Sequence, residues 1–195
     1  MREYYEARAP NYDDWYLGRG LFAGRERPAW ASELAELERA LSLLPPAHTL
    51  DVACGTGFLT RHIPGELAGL DQSERMLDIA RERIPGAAFF RGDAFELPFS
   101  DNAFERVFTA HFYGHLEPEE RIRFLAEAER VAPELIVCDS AQRPDRDREE
   151  VQERILEDGS RWQIYKRFFR AEELAAELGG GEVLFSGEWF VVVRS

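Results

Sequence analysis

The chain has 195 residues, close to the length of one ordinary domain. With 45% hydrophobic and 12% aromatic residues it holds enough apolar material for a packed core, which excludes a disordered or collagen-like chain. Twenty-four basic against 37 acidic side chains give a net charge of −13, a surface that repels phosphate backbones and speaks against nucleic acid as a general partner. Of the 24 basic residues only Lys166 is a lysine. No apolar run approaches the ~20 residues that span a bilayer, so no membrane partner is expected. The polar start at residues 1–6 does not resemble a signal peptide. Two cysteines, Cys54 and Cys138, are too few for a disulfide framework or a cysteine-rich zinc site. A cytoplasmic location is the expectation.

Residues 1–16, rich in tyrosine and charge, predict a helix broken at Pro10, followed by a glycine and arginine loop over 17–27. Pro28 suits a first helical turn, and Leu34, Leu37, Leu41 and Leu44 then recur at helical spacing until Pro45-Pro46 ends them. From Thr49 the rhythm changes. Residues 49–54 form a short apolar run ending in glycines, the pattern of a buried strand. A short helix over 58–63 follows, then a strand over 67–70 that ends at Asp71. Ser73 predicts a cap for a helix with Met76, Leu77 and Ala80 on one face. Strands are predicted over 87–90, 106–110 and 135–138, with a helix opening at Pro118 between the last two.

Alternating strands and helices joined by short connections predict a parallel sheet with helices on both faces. Residues 141–158 are nearly all charged, and the mixture of Arg and Glu at helical spacings over 145–157 reads as a solvated surface helix or cap. Residues 172–178 predict a short helix. Residues 182–186 and 188–194 flank Gly187 as a closing antiparallel hairpin.

The chemistry concentrates at the ends of the first three strands. Asp51-Val-Ala-Cys-Gly55-Thr-Gly57 closes the first, and glycine lets backbone turn sharply and approach a ligand. In open α/β sheets the crevice at the carboxyl ends of the strands is where ligands bind. Asp71 ends the second strand, where a carboxylate can accept hydrogen bonds from a ribose diol. Gly92-Asp93-Ala94 follows the third, with an acceptor able to read an exocyclic amine. Three aspartates in register at strand ends point to a nucleoside-type ligand. The sixth position of the glycine motif is Thr60 rather than glycine, and no lysine follows it, so the signs of a dinucleotide or triphosphate loop are missing.

Asp-Val-Ala-Cys-Gly-Thr-Gly (51–57), Leu-Asp-Gln-Ser-Glu-Arg-Met-Leu (70–77), Gly-Asp-Ala (92–94) with Leu-Pro-Phe (97–99), and Val-Phe-Thr-Ala-His (107–111) together resemble the class I S-adenosylmethionine-dependent methyltransferases of small-molecule type. The resemblance spans residues 40–140 and the closing hairpin. It implies an α/β, Rossmann-like, doubly wound seven-stranded sheet of order 3-2-1-4-5-7-6 with the last strand antiparallel. It implies a single domain over 1–195: a lid segment over 1–27, a cofactor-binding core over 28–140, a substrate-side cap over 141–169, and a closing helix and hairpin over 170–195. The implied cofactor is S-adenosyl-L-methionine, with S-adenosyl-L-homocysteine as product.

By the same resemblance Asp51, Ala53, Cys54, Gly55 and Gly57 belong to the motif around the methionine moiety, and Asp71 to the position that holds the ribose. Gln72 and Met76 match positions beside the adenine, Asp93 and Ala94 its edge, and Ala110 the backbone lining the sulfonium. Tyr5, Arg8 and Tyr12 match a lid that covers the cofactor. The family often has glycine where Ala53 stands. The implied reaction is direct in-line methyl displacement on a small-molecule acceptor, by a monomer or homodimer.

His111 and His115 follow the fourth strand and are the candidates for a general base. His111 is assigned the catalytic role, with His115 and Tyr113 on the substrate side. A metal pair on one helix face is the minor reading, since no third ligand is evident. Trp162, Tyr165, Arg167 and Arg170 are candidates for an aromatic or anionic group of the acceptor. Two other functions stay open at this point: a nicotinamide-dependent oxidoreductase, against which Thr60 speaks, and a non-catalytic partner subunit of the same fold.

Overall fold

The computed structural model of the chain describes residues 2–195. Helices α1 (Arg2–Arg8) and α2 (Asp14–Leu17) are separated by a 3₁₀ turn containing Pro10, and α3 (Trp30–Ser42) follows. Then come β1 (Ala47–Val52), β2 (Gly65–Asp71), α4 (Glu74–Arg83), β3 (Ala88–Arg91), β4 (Arg106–Ala110), α5 (Pro118–Val131) and β5 (Glu134–Ser140). The last third holds β6 (Glu149–Ile155), β7 (Arg161–Arg167), α6 (Ala171–Glu177), β8 (Glu182–Ser186) and β9 (Phe190–Arg194).

Seven strands form one sheet in the order β3-β2-β1-β4-β5-β9-β8. Counted within that sheet alone, this is the expected 3-2-1-4-5-7-6. Strands β1 to β5 are parallel, and β9 runs antiparallel to both β5 and β8. The period-two alternation of apolar residues divides two cores between the faces. Leu50, Val52, Val107, Val137 and Val191 meet Phe124 of α5 and Leu174 of α6 on one side. Phe108, Ile136, Cys138 and Val192 meet Leu37 and Leu41 of α3 and Tyr16 of α2 on the other. Each such side chain, fully buried, contributes roughly 1.5–3 kcal/mol.

Two local devices fix the frame. Ser73 Oγ accepts the Met76 N–H at 3.2 Å and caps α4 as expected. The buried Glu33 carboxylate of α3 accepts the N–H groups of Glu188 at 2.9 Å, Trp189 at 2.7 Å and Phe190 at 2.9 Å. A Cβ on Gly187 would lie 2.2 Å from Glu33 Oε1, so only glycine lets the closing hairpin dock there.

Two expectations fail. The helix over 58–63 is only a 3₁₀ turn at Thr60–His62. The charged stretch 145–157 is not a helix: β6 pairs antiparallel with β7, Val151 opposite Tyr165 and Ile155 opposite Arg161, as a separate two-stranded sheet. Exposure along β6 alternates strictly, with Glu150, Gln152 and Arg154 sheltered while Glu149, Val151, Glu153 and Ile155 face out. The connection turns at Asp158-Gly159, where Gly159 has φ +81° and Asp158 Oδ1 accepts the Ser160 N–H at 2.9 Å. Charge pairs that mimic helical spacing are cross-strand contacts here, such as Arg161 with Glu153 at 2.8 Å. Among the described residues no helix is long and apolar enough to cross a membrane.

Candidate functional site

The chain turns at the carboxyl end of β1 through two residues in the left-handed region, Ala53 at φ +59° and Gly55 at φ +54°. That conformation favours glycine, which accounts for the departure at Ala53 being the strained one. The Gly55 N–H donates to Asp71 Oδ2 at 2.9 Å, and the Ser73 N–H donates to Asp71 Oδ1 at 2.8 Å. Asp71 therefore braces the loop as well as facing the crevice. Burial pushes its carboxyl pKa up, while the Ser73 and Gly55 donors pull against that shift.

Above this loop lies a cavity of about 620 Å³, within the ~300–1,000 Å³ typical of small-molecule sites. Ala53, Gly55, Asp71, Gln72 and Met76 line it, as do Asp93, Ala94 and Ala110. Tyr5 and Tyr12 of the N-terminal segment reach over to line it as well. That segment is tied down at two points: Thr56 Oγ1 donates to Asp13 Oδ1 at 2.6 Å, and the Glu74 N–H at the start of α4 donates to Glu6 Oε1 at 2.9 Å.

Three residues expected at the cofactor sit behind the cavity instead. Asp51 is buried and accepts a short hydrogen bond from Thr60 Oγ1, while its Oδ1 has no partner. Burial pushes its pKa up to about 8. Thr60, the residue that breaks the dinucleotide pattern, thus serves Asp51. Cys54 packs under the sheet, its sulfur 2.9 Å from where a Gly69 Cβ would stand. Gly57 (φ +70°) turns the chain beside Ile84, whose side chain would lie 3.1 Å from a Cβ there. All three shape the loop without lining the cavity.

A second cavity of about 1,200 Å³ lies between the N-terminal segment and the β6–β7 hairpin. Tyr5, Tyr12 and His111 line both cavities and stand where they meet. His111 follows β4 with φ +53°, an uncommon conformation for a non-glycine residue. Its Nδ1 lies 3.5 Å from Ser140 Oγ and 3.8 Å from Asp139 Oδ1. Its Nε2 is buried with no partner, and the ring packs edge-on against Trp15 at 4.8 Å. Burial lowers the imidazole pKa, with Asp139 opposing. Asp139 is fully buried. Burial works to raise its pKa, but Lys166 and His111 hold it well below the usual carboxylate range. It also accepts the Gly114 N–H at 2.7 Å and a short bond from Lys166 Nζ.

The other substrate-side candidates divide. His115 lines the larger cavity, but its Nδ1 is occupied by the Tyr165 carbonyl at 2.7 Å. Burial, reinforced by Lys166 and Arg154, puts its pKa well below the usual value. His111 and His115 do not share a helix face, since His115 stands in a 3₁₀ turn. Tyr113 is not at the site: it is fully buried, packs on Phe124 and Phe169, and donates its hydroxyl to Glu177 Oε1 at 2.9 Å. Trp162, Tyr165, Arg167 and Arg170 line neither cavity, and Arg167 is consumed by Glu177 at 2.8 Å. Of the residues that line the larger cavity, Tyr5, Arg8, Tyr12, His111 and His115 were read in the sequence, while Tyr4, Trp15 and Arg154 were not. The signals that could have exposed Arg154 are the period-two exposure of β6 and the Asp158-Gly159 turn.

The sheet order is that of the Rossmann-like methyltransferase fold. Residues 49–134 match the family model described as a methyltransferase domain. The chain is 40% identical over 117 residues to a Streptomyces venezuelae dTDP-3-amino-3,4,6-trideoxy-alpha-D-glucopyranose N,N-dimethyltransferase, covering 57% of this chain and 46% of the relative. It is 37% identical over 128 residues to a Thermotoga maritima demethylmenaquinone methyltransferase, covering 63% of this chain and 52% of the relative. The chain thus spans about half the length of these curated relatives. Among solved structures it resembles the DhpI–SAH complex with a TM-score of 0.70 at 24% identity, covering 98% of this chain and 92% of that one.

The residues present fit S-adenosylmethionine. A buried carboxylate, Asp71, faces the smaller cavity with lone pairs still free after its two backbone bonds. A Cβ on Gly55 would stand 3.6 Å from the Tyr12 ring and narrow the cradle at that point.

Proposed function

We propose that the protein transfers a methyl group from S-adenosylmethionine to a small-molecule acceptor in the cytoplasm, with no membrane or nucleic-acid partner. The observation that carries this reading is the meeting of the two cavities at Tyr5, Tyr12 and His111. The names of its relatives, which specify a nucleotide-linked amino sugar and a demethylmenaquinone, support a small acceptor.

When bound, S-adenosylmethionine supplies a sulfonium methyl open to direct in-line displacement, for which alignment is the main catalytic need. Asp71 would accept from the ribose hydroxyls, Gln72 and Met76 flank the adenine, and Asp93 and Ala94 meet its edge. Gly55 and Ala110 offer backbone to the methionine end. Tyr5 and Tyr12 exclude water from the junction and stay neutral there, since burial pushes the Tyr5 phenol up to about 12 against Arg154 and Arg8. His111 is the base. Kept neutral by burial, it takes the acceptor's proton at Nε2, the ring nitrogen that lacks a partner. Asp139 is a positioning residue: it stays ionised beside Nδ1 and stabilises the imidazolium that forms.

Calorimetric titration tests the reading. S-adenosylhomocysteine is expected to bind saturably at micromolar concentration while NAD gives no heat. NAD binding without S-adenosylhomocysteine binding would replace the proposal by the oxidoreductase reading.

A further inference from the structure

The larger cavity is lined by charges of both signs, and some of its cations stand without a carboxylate partner. The chain has a net charge of −13, yet Arg8 on α1 and Arg154 on β6 both turn into this space and converge on one phenol. Arg8 Nη1 donates to Tyr4 Oη at 2.8 Å, and Arg154 Nη1 donates to the same oxygen at 3.3 Å. Three other cations on this wall are matched, Lys166 by Asp139, Arg143 by Asp145 at 2.6 Å and Arg146 by Glu150 at 3.2 Å, while Arg27 donates to the Trp15 carbonyl at 2.8 Å and Arg25 stacks on the Phe22 ring. Among the described residues neither Arg8 nor Arg154 forms an ion pair with a carboxylate.

Aromatic stacking does not complete them. The Arg8 guanidinium lies 4.8 Å from the Tyr12 ring centroid, 5.7 Å from that of Tyr4 and 5.8 Å from that of Phe22, contacts that engage its charge but not the N–H groups of its edge. Its edge still carries five N–H donors, of which Tyr4 takes one. Arg154 gives two bonds to Gln152 Oε1, at 3.2 and 2.8 Å, and keeps further donors on both Nη atoms. Tyr4 Oη accepts twice, so its own hydrogen is free to donate. Three groups on two separate elements thus present donors and positive charge, and the acceptor that the two arginines share is the neutral Tyr4 oxygen. Like charges also crowd the rim: the Arg25 pKa is lowered, first by burial and then by Arg146, Arg154 and Arg8.

We propose that Arg8, Arg154 and Tyr4 bind an oxyanion group of the methyl acceptor, a carboxylate or a phosphate, with the nucleophile of the same molecule directed to His111. This rests on the larger cavity being the acceptor site. Guanidinium forks match planar and tetrahedral oxyanions in a bidentate fashion, and a neutral acceptor would leave both charges uncompensated.

The test is calorimetric titration of the protein, free and loaded with S-adenosylhomocysteine, with inorganic phosphate, with acetate and with neutral acetamide at constant ionic strength. Saturable binding of phosphate or acetate, but not acetamide, is expected. The tighter of the two anions assigns the acceptor's group. Arg154→Gln and Arg8→Gln should each weaken that anion at least about tenfold, the loss expected when one charge-assisted hydrogen bond goes. Arg39→Gln, an exposed change on α3, should leave it unaltered. Arg154→Gln should keep the wild-type affinity for S-adenosylhomocysteine, because Arg154 does not line the smaller cavity. The two arginines stand on different elements, so a folding failure in one variant leaves the other to report. No saturable anion binding, or equal anion affinity in wild type and variants, overturns the proposal. Anion binding to a protein that takes no S-adenosylhomocysteine overturns the cofactor reading instead.

Discussion

The two cavities are built by different means. The smaller one is formed where β1, β2 and β4 end side by side, and its loop is pinned by the Gly55 and Ser73 bonds to Asp71, residues at most 16 positions apart. The larger one depends on elements outside the sheet, and the contact that defines its cationic wall joins Tyr4 to Arg154, 150 positions apart. A crevice made by a sheet is fixed as soon as the strands pair. A chamber made between an N-terminal segment and an added hairpin can change its lining without disturbing that sheet. On the proposed function, nucleoside recognition rests on the sheet and acceptor choice on the segments added to it.

His111 stands at the junction, so its loss should separate the two cavities most sharply. His111→Ala is expected to reduce kcat by roughly 10²-fold or more while leaving S-adenosylhomocysteine affinity within about twofold, the range for removing a general base. Methyl transfer to an acceptor found by screening oxyanion-bearing small molecules, with titration alongside, measures both. In the wild type the lowered imidazole pKa keeps the base neutral at and above its ordinary value of 6.5, so kcat should stay flat there and fall only at lower pH. Unchanged turnover removes His111 from the mechanism. A parallel loss of cofactor affinity would make it part of the smaller cavity alone.

Asp71→Ala should strike only that cavity. A weakening of S-adenosylhomocysteine binding by about 10- to 100-fold is expected, since the ribose hydroxyls lose a charged acceptor and Gly55 loses its brace. Phosphate or acetate binding in the larger cavity should be unchanged. Equal cofactor affinity in the variant rejects the assignment of Asp71 to the ribose.

This asymmetry also governs what could be read from the sequence. The sheet order, the Ser73 cap and the lining by Ala53, Gly55, Asp71, Asp93 and Ala110 follow from strand-end motifs, because parallel strands in register bring their carboxyl ends together whatever the intervening helices do. Residues 145–157 misled because Arg and Glu at helical spacing are equally spaced for cross-strand pairing, and the turn at Asp158-Gly159 decides between them. Tyr113 misled because its neighbour His111 faces the cavities; the 3₁₀ turn at Tyr113–His115 carries the Tyr113 ring into the core instead. Arg8 with Arg154 could not be paired at all, since no local pattern links residues so far apart.

An effect on stability rather than on either cavity is expected just behind the crevice. Asp51 has an ordinary pKa of 3.8, and burial raises it to about 8 in the folded chain. Between those values the folded protein holds a proton that the unfolded chain has released, so stability falls as pH rises across the window and the loss levels off above the upper limit. One proton corresponds to at most about 1.4 kcal/mol per pH unit. Asn cannot ionise and still accepts from Thr60 Oγ1. Asp51→Asn should therefore gain on the wild type steadily from about pH 5 to about pH 8 in urea denaturation. It should leave S-adenosylhomocysteine affinity unchanged, because Asp51 does not line the cavity. Parallel stability profiles would mean that Asp51 is ionised in the fold. A tenfold loss of cofactor affinity would return it to the ligand contacts where its motif first placed it.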